Sequence, residues 1–364
     1  MGCKYCYGNQ GKWDKPGYIM SEETAQKSIE TLFDNIRKSD GENATITFFG
    51  GEPLLRFDFI KNITNFAKFK AKNDINLRFA TITNGTTLKK EHIDFFKKEK
   101  FVLSLSLDGN ENQHDVTRVY KNNTGTYSDI MNNFSGISNI MPVLIRTTIS
   151  DHNYNVNEVI QHINSLGFKR IMYELDFNID AINFTKFLNS SEILLDYYID
   201  KIKQGEYFDL RNFTRVIASI LTKRRSKSHC DAGVGYMAVS ADGQLYPCHR
   251  FIGMKELSFG NISELNTEQI IKHATLYDKQ LGDSPGYRNS DCIDCQFAFL
   301  CGGGCAYHSY LKHNNLFEIS INDCQFKRTI FDQTLRLICE LKGNCLSNFV
   351  DFLKRIWHEE NGFN

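Results

Sequence analysis

Seven cysteines in the C-terminal part of the chain limit what it can fold into more than any other feature. Cys230 is followed by twelve residues, Gly243, four residues and Cys248; then come Cys292-x-x-Cys295, five residues, Cys301, three residues, Cys305, and finally Cys324. The stretch from Cys230 to Cys324 is rich in glycine and cysteine and poor in long periodic segments, so it can bury little apolar core and is expected to depend on metal for its fold. Of the eleven cysteines in 364 residues, nine fall in two groups, this array and a pair at Cys3 and Cys6, while Cys339 and Cys345 stand apart. Such clustering points to metal binding or redox work in a reducing compartment rather than to disulfides. By residue type alone the array also reads as two zinc ribbons, because Cys292-x-x-Cys295 suits zinc as well as an iron-sulfur cluster.

Composition narrows the rest. Lysine plus arginine equals aspartate plus glutamate at 43 each, so nothing in the charge balance suggests a nucleic-acid backbone or an anionic membrane as partner. There is no charged-then-apolar signal segment and no apolar run of the ~18 residues a membrane span needs, which makes the cytoplasm the expected compartment.

From about Thr45 to Phe177, short β-branched or apolar runs alternate with amphipathic helical stretches, the pattern of strand-helix units in a parallel sheet. The strand candidates are Thr45 to Phe49, Leu77 to Thr83, Phe101 to Leu107, Val143 to Ile149 and Arg170 to Leu175, with helices such as Glu22 to Lys38 and Glu91 to Lys98 between and before them. Polar or glycine-containing loops follow several strands, at Gly50-Gly51-Glu52-Pro53, Asn84-Gly85 and Asp108-Gly109. In parallel barrels those strand ends carry the site. Residues 191–229 read as a helical bridge ending in the basic run Lys223 to Lys227, either a docking patch or a solvated helix end. Helical periodicity returns from Thr329 to Trp357. The expected organisation is a barrel over 1–190, the bridge over 191–229, a cysteine-rich domain over 230–328 and a C-terminal helix over 329–364.

The chain opens Met1-Gly2-Cys3-Lys4-Tyr5-Cys6-Tyr7, and a Cys-x-x-Cys pair by itself suits half a zinc knuckle or a redox motif. No second pair lies nearby and no strand precedes it. The pair resembles the end of the radical S-adenosylmethionine (SAM) motif, Cys-x-x-x-Cys-x-x-Cys with an aromatic residue before the last cysteine. In that superfamily three thiolates hold a 4Fe-4S cluster whose fourth iron chelates SAM. The resemblance makes Cys3 and Cys6 the second and third ligands and puts the first two residues before Met1, so that Met1 reads as an internal methionine and the first barrel strand as missing. A chain with two of the three thiolates is expected to cleave SAM poorly.

Further segments resemble the superfamily in order. The tetrad Gly50-Gly51-Glu52-Pro53 follows an apolar strand, and its glycines would let the backbone approach the SAM amino group. Ser104-Leu105-Ser106-Leu107-Asp108-Gly109, followed by Arg118, resembles the fourth-strand segment of maturases, implying that Ser106 and Arg118 contact SAM, with Tyr5 and Leu175 completing the pocket. The fold implied is α/β, a partial (β/α)6 TIM-type barrel lacking its first strand, plus a small cysteine-rich domain and a C-terminal helix.

The seven-cysteine array resembles the SPASM domain of peptide and protein maturases. That resemblance gives Cys292, Cys295, Cys301 and Cys324 to an outer auxiliary 4Fe-4S cluster and Cys230, Cys248 and Cys305 to an inner one. Sulfatase-maturing relatives carry a fourth inner ligand shortly after the first, but Asp231 to Met237 contains no cysteine. The implied open iron suits a substrate thiolate, although a ligand from elsewhere would serve equally. The same relatives have a basic aspartate where this chain has His249, which could relay a proton or hydrogen-bond a cluster sulfur. The implied reaction is cysteine thioether crosslinking of a precursor peptide, with flavodoxin or ferredoxin as electron donor. Formylglycine formation, carbon-carbon coupling and a degenerate metal-stabilised binding module are the alternatives.

Overall fold

The computed structural model describes residues 1–8, 19–134, 140–176, 178–224, 230–282, 290–316 and 318–361. Of the basic run, Lys223 and Arg224 are described, whereas Arg225, Ser226 and Lys227 lie outside the described residues.

Six strands form one all-parallel sheet in sequence order: β1 (Asn43–Phe48), β2 (Asn76–Thr83), β3 (Val102–Ser106), β4 (Val143–Ile149), β5 (Arg170–Leu175) and β6 (Asp209–Leu210). The register pairs Ile46 with Phe79, Leu105 with Ile145 and Ile145 with Ile171. Leu103, Leu105, Ile145 and Ile171 are fully buried, as strands covered on both faces require. Helices α1 (Glu22–Lys38), α2 (Phe57–Ala71), α3 (Lys90–Lys98), α4 (Glu111–Thr117), α5 (Tyr127–Phe134), α6 (Val156–Ser165) and α7 (Ala181–Lys203) precede and connect the strands. Helix α1 has the span read from sequence because its ends are marked: Ser21 Oγ accepts from the amide of Thr24, acidic Glu22 and Glu23 lead, and Arg37 and Lys38 close it.

Two expectations change. The bridge is not only helical: β6 lies inside it and pairs with β5, followed by α8 (Arg211–Leu221). This strand is held by side chains, since the buried Asp209 carboxylate accepts from Arg211 Nε at 2.7 Å and Thr214 Oγ1 at 2.5 Å. A two-residue strand has no periodicity to read.

The tail is two helices rather than one. Counting the four helices of the cysteine-rich region as α9 (Thr267–Gly282), α10 (Ser290–Ile293), α11 (Ala298–Cys301) and α12 (Ala306–His313), the tail forms α13 (Ile321–Glu340) and α14 (Asn344–Asn361). Gly343 turns the chain between them with φ of +56°. Gln333 donates to Ser191 Oγ and Glu192, and the Phe349 ring meets Tyr198, so the tail packs on the helices of the barrel. Cys324 falls in the first turns of α13, so one helix ties the cysteine array to the barrel core.

A small antiparallel sheet, β7 (Ala238–Val239), β8 (Gln244–Tyr246) and β9 (Gly260–Asn261), opens the cysteine-rich region. Its apolar clusters are small: Leu245, Ile262 and Ile270 in one, Tyr246, Phe251 and Tyr307 in the other. No helix among the described residues is long and apolar enough to cross a membrane.

Candidate functional site

The Cys3 to Cys6 loop is docked by its backbone onto the segment after α4. Gly2 N donates to Val119 O at 2.7 Å and Lys4 N to Thr117 O at 3.0 Å, while Cys6 N closes a turn onto Cys3 O. Beneath it lies Asp108, fully buried just past the end of β3. Its carboxylate accepts from the Tyr5 hydroxyl, from Arg118 Nε at 2.7 Å and from Thr148 N at 2.9 Å, and its own amide donates to His114 Nδ1. The Arg118 guanidinium lies 5.3 Å from the centre of the Tyr5 ring. Burial alone would lower the Arg118 pKa, but Asp108, Tyr5 and Cys3 outweigh it and hold the guanidinium charged. Burial pushes the Cys3 thiol up, and Arg118 pulls it back. An arginine bonded through Nε keeps its terminal nitrogens for a second carboxylate, the chemistry a bound amino acid needs.

Adjacent strand ends carry the other expected residues. Gly50 and Gly51 follow β1, Ser106 ends β3 and Leu175 ends β5, the last two half-buried. A Cβ built on Gly50 meets no atom within 4 Å, so the fold itself does not require glycine there and leaves room in front of it. Glu52 faces inward. Its carboxylate accepts from Leu54 N at 3.1 Å, Thr83 Oγ1 at 2.8 Å and Asn84 N at 2.8 Å, which braces the glycine loop against the end of β2. Burial raises its pKa, opposed by those three donors. Glu52 is therefore a brace for this loop before it is anything else.

The C-terminal cysteines sort into two sets. Cys230 and Cys248 both feel the charge of Cys305, and Cys248 that of Cys230, whereas Cys324 feels Cys301 and Cys295. Cys295 N donates to Cys292 O, which places Cys292 with the second set. Cys301 and Cys305 are sequence neighbours in different sets because Gly302 and Gly303 turn the chain through φ of +61° and +91°. Burial raises the thiols of Cys230 and Cys324 and pushes Cys248 up to about 11. Among the described residues no three His, Cys, Asp or Glu side chains converge on a point that one metal ion could fill. Both sets offer thiol sulfur as the donor, the ligand chemistry an iron-sulfur cluster takes.

Residues between the two halves complete the site. His249 Nδ1 is 2.6 Å from the Tyr236 hydroxyl and 3.6 Å from Cys248 Sγ, and its ring packs edge-on to Phe49 at 4.8 Å. Burial, with Arg250 and Arg146 close by, pushes its pKa down to about 3, so the ring is neutral. Arg250 Nη2 donates to Glu174 Oε2 at 2.8 Å, and Nη1 lies 2.7 Å from His308 Nε2 and 3.8 Å from Cys305 Sγ. His308 Nδ1 is 2.9 Å from the Asp323 carboxylate. The structure thus brings the cysteine pair, the strand-end residues and His249 to one edge of the sheet. Sequence reasoning placed Asp108 in a strand-end loop without giving it a role and missed Glu174 and Arg250, although Arg250 neighbours Cys248 in sequence.

A parallel α/β sheet with a thiol pair at its C-terminal edge, backed by a module holding two further thiol sets, defines an iron-sulfur enzyme. Residues 1–166 match the radical SAM superfamily model and residues 230–296 match SPASM, an iron-sulfur cluster-binding domain, so the chain carries both domains. It is 26% identical over 331 residues, 84% of each chain, to the cysteine-type anaerobic sulfatase-maturating enzyme of Clostridium novyi. It is 24% identical over 379 residues, 96% of this chain and 73% of the other, to the radical SAM cyclopropyl synthase TigE of Paramaledivibacter caminithermalis. The solved structure of native anSMEcpe with bound AdoMet and Kp18Cys peptide has the same fold, with a TM-score of 0.77 at 20% identity, covering 93% of this chain and 94% of that one.

Proposed function

We propose that this protein matures a ribosomally made, cysteine-containing precursor peptide by joining a cysteine sulfur to a carbon of the same peptide. Cys3 and Cys6 are assigned to the SAM-binding 4Fe-4S cluster, Cys292, Cys295, Cys301 and Cys324 to an outer auxiliary cluster, and Cys230, Cys248 and Cys305 to an inner one. The observation that carries the reading is the inner set: three cysteines, with none in residues 231–237, set beside His249 and Phe49 at the strand ends.

Bound SAM and its reduced cluster supply a 5′-deoxyadenosyl radical able to take hydrogen from an unactivated carbon. The chain's own residues place the reactants. Arg118, fixed by Asp108, offers its terminal nitrogens to the SAM carboxylate, and the space before Gly50 and Gly51, beside Ser106, Tyr5 and Leu175, takes the rest. The inner set has no fourth cysteine, which leaves a corner for the substrate thiol. In the overall change a C–S bond forms while one C–H and one S–H bond break. The hydrogen atom ends in 5′-deoxyadenosine, the proton leaves, and the one electron left over is what auxiliary clusters held by the two cysteine sets would accept. His249, neutral and held by Tyr236 at Nδ1, stands where the sulfatase-maturing enzymes have an aspartate, and this supports thioether formation over formylglycine formation. Flavodoxin or ferredoxin in the cytoplasm would supply the first electron.

The relatives named for cysteine-type sulfatase maturation and the solved complex with a Cys peptide support a peptide substrate. The test is mass spectrometry of a cysteine peptide encoded beside the gene, after reaction with reconstituted protein, SAM and a reductant. Loss of two hydrogens with sulfur retained and the thiol no longer alkylatable supports the reading; loss of sulfur with formylglycine overturns it.

A further inference from the structure

Beside the three-cysteine set the fold buries a polar group and gives it nothing to bond. Tyr277, on α9, is only 5% exposed, and its hydroxyl makes no hydrogen bond among the described residues. A buried hydroxyl in that state has lost water without compensation. Cys230, Cys248 and Cys305 are near enough to act electrostatically on it, and Gly233, on which its ring lies, donates its amide to Pro247 O at 2.9 Å, next to Cys248.

The ring itself is accounted for. It lies on Gly233, where an added Cβ would stand 2.3 Å from ring Cδ1, and it meets the Phe259 ring edge-on at 5.9 Å. Gly233 also needs its left-handed φ of +78°. The packing explains every part of Tyr277 except its oxygen. Gly233 lies in the segment 231–237, from which a fourth cysteine would have to reach the inner set, and there the Tyr277 ring occupies the space a side chain would use.

We propose that Tyr277 is the fourth side chain of the inner cluster site, a positioning residue whose O–H donates a hydrogen bond to a cluster sulfur and supplies no iron ligand. The inference rests on the reading of Cys230, Cys248 and Cys305 as cluster ligands. A phenol with an ordinary pKa of about 10 is a donor at neutral pH. Donation to sulfur favours the reduced cluster, which carries the extra negative charge, and so raises its potential. It also leaves the iron without a cysteine open to the substrate thiol.

The test is Tyr277→Phe in the reconstituted holoenzyme, followed by iron and sulfide analysis, optical spectra and an EPR-monitored redox titration. The inner signal is identified by its loss in Cys305→Ala. The expected result is unchanged iron with the inner midpoint moved to lower potential by up to a tenfold change in the reduced-to-oxidised ratio, about 59 mV for one electron. The other two clusters should not move. An unmoved inner midpoint overturns the proposal, as does a phenolate-to-iron absorption in the wild type that disappears in the variant, because that would make Tyr277 a ligand. Wild-type protein that binds no inner cluster overturns the ligand assignment itself, which is a distinguishable failure.

Discussion

Arg250 reaches across the molecule to Glu174: its Nη2 lies 2.8 Å from Oε2 of a residue one position before the end of β5. The second Glu174 oxygen accepts from Arg146 at 3.2 Å, and the Arg250 guanidinium also lies over the rings of Tyr7 and Tyr307. This pair fixes the cysteine-rich module against the strand ends. Its side chains are 21% and 34% exposed, between the regimes of surface and buried ion pairs. Arg250→Gln should therefore cost about 1–2 kcal/mol. A double-mutant cycle with Glu174→Gln, followed by denaturant unfolding, should show coupling between the two sites; additive effects would dismiss the link.

Asp108 anchors the cysteine-pair loop through Tyr5 and Arg118. Asp108→Asn leaves the Arg118 charge buried without its anion, at a cost of about 3–5 kcal/mol. Arg118→Leu combined with Asp108→Asn should recover part of that loss. Chemical denaturation of the single and the double variant checks it, and equal stability of the two would contradict it.

Glu52 accepts from three donors, and a glutamine presents an amide NH2 to at least one of them. Glu52→Gln should lose about 2–3 kcal/mol, with the destabilisation felt at the loop of Gly50 and Gly51. Hydrogen exchange at the amides of Leu54 and Asn84 reads this directly: both should exchange faster in the variant.

His114 is fully buried, with Nδ1 accepting from Asp108 N and Nε2 against Thr126 Oγ1. Burial lowers its pKa from 6.5 to about 4. The unfolded chain therefore takes up a proton before the folded one does. The stability contributed by the neutral ring is complete above about pH 6.5 and is lost as pH falls toward 4, amounting to roughly 3 kcal/mol at most. His114→Asn, which keeps an acceptor for the Asp108 amide, should flatten urea midpoints across that window.

The two cysteine sets predict separable metal losses. Cys305→Ala should remove about four irons and spare the outer cluster, while Cys324→Ala should do the reverse. Iron counts with EPR of the remaining signals check the division; if either variant lost both clusters, the sorting by Gly302 and Gly303 would be wrong.

Much of this was legible in one dimension. Alternation and helical periodicity report which face of a local element is buried, so five strands and the span of α1 could be read directly. The spacing of nine cysteines carried the resemblance to the radical SAM and SPASM domains that residues 1–166 and 230–296 match. Tertiary structure decided the rest. Arg250 and Glu174 are 76 residues apart, and Tyr5 and Asp108 are 103. No local pattern encodes such pairs, because they form only when loop closure brings separate elements together. The same holds for β6, which exists because β5 offers it an edge, and for Tyr277, a residue like any other tyrosine on a helix until folding lays its ring on Gly233 and leaves its oxygen buried with no hydrogen bond among the described residues.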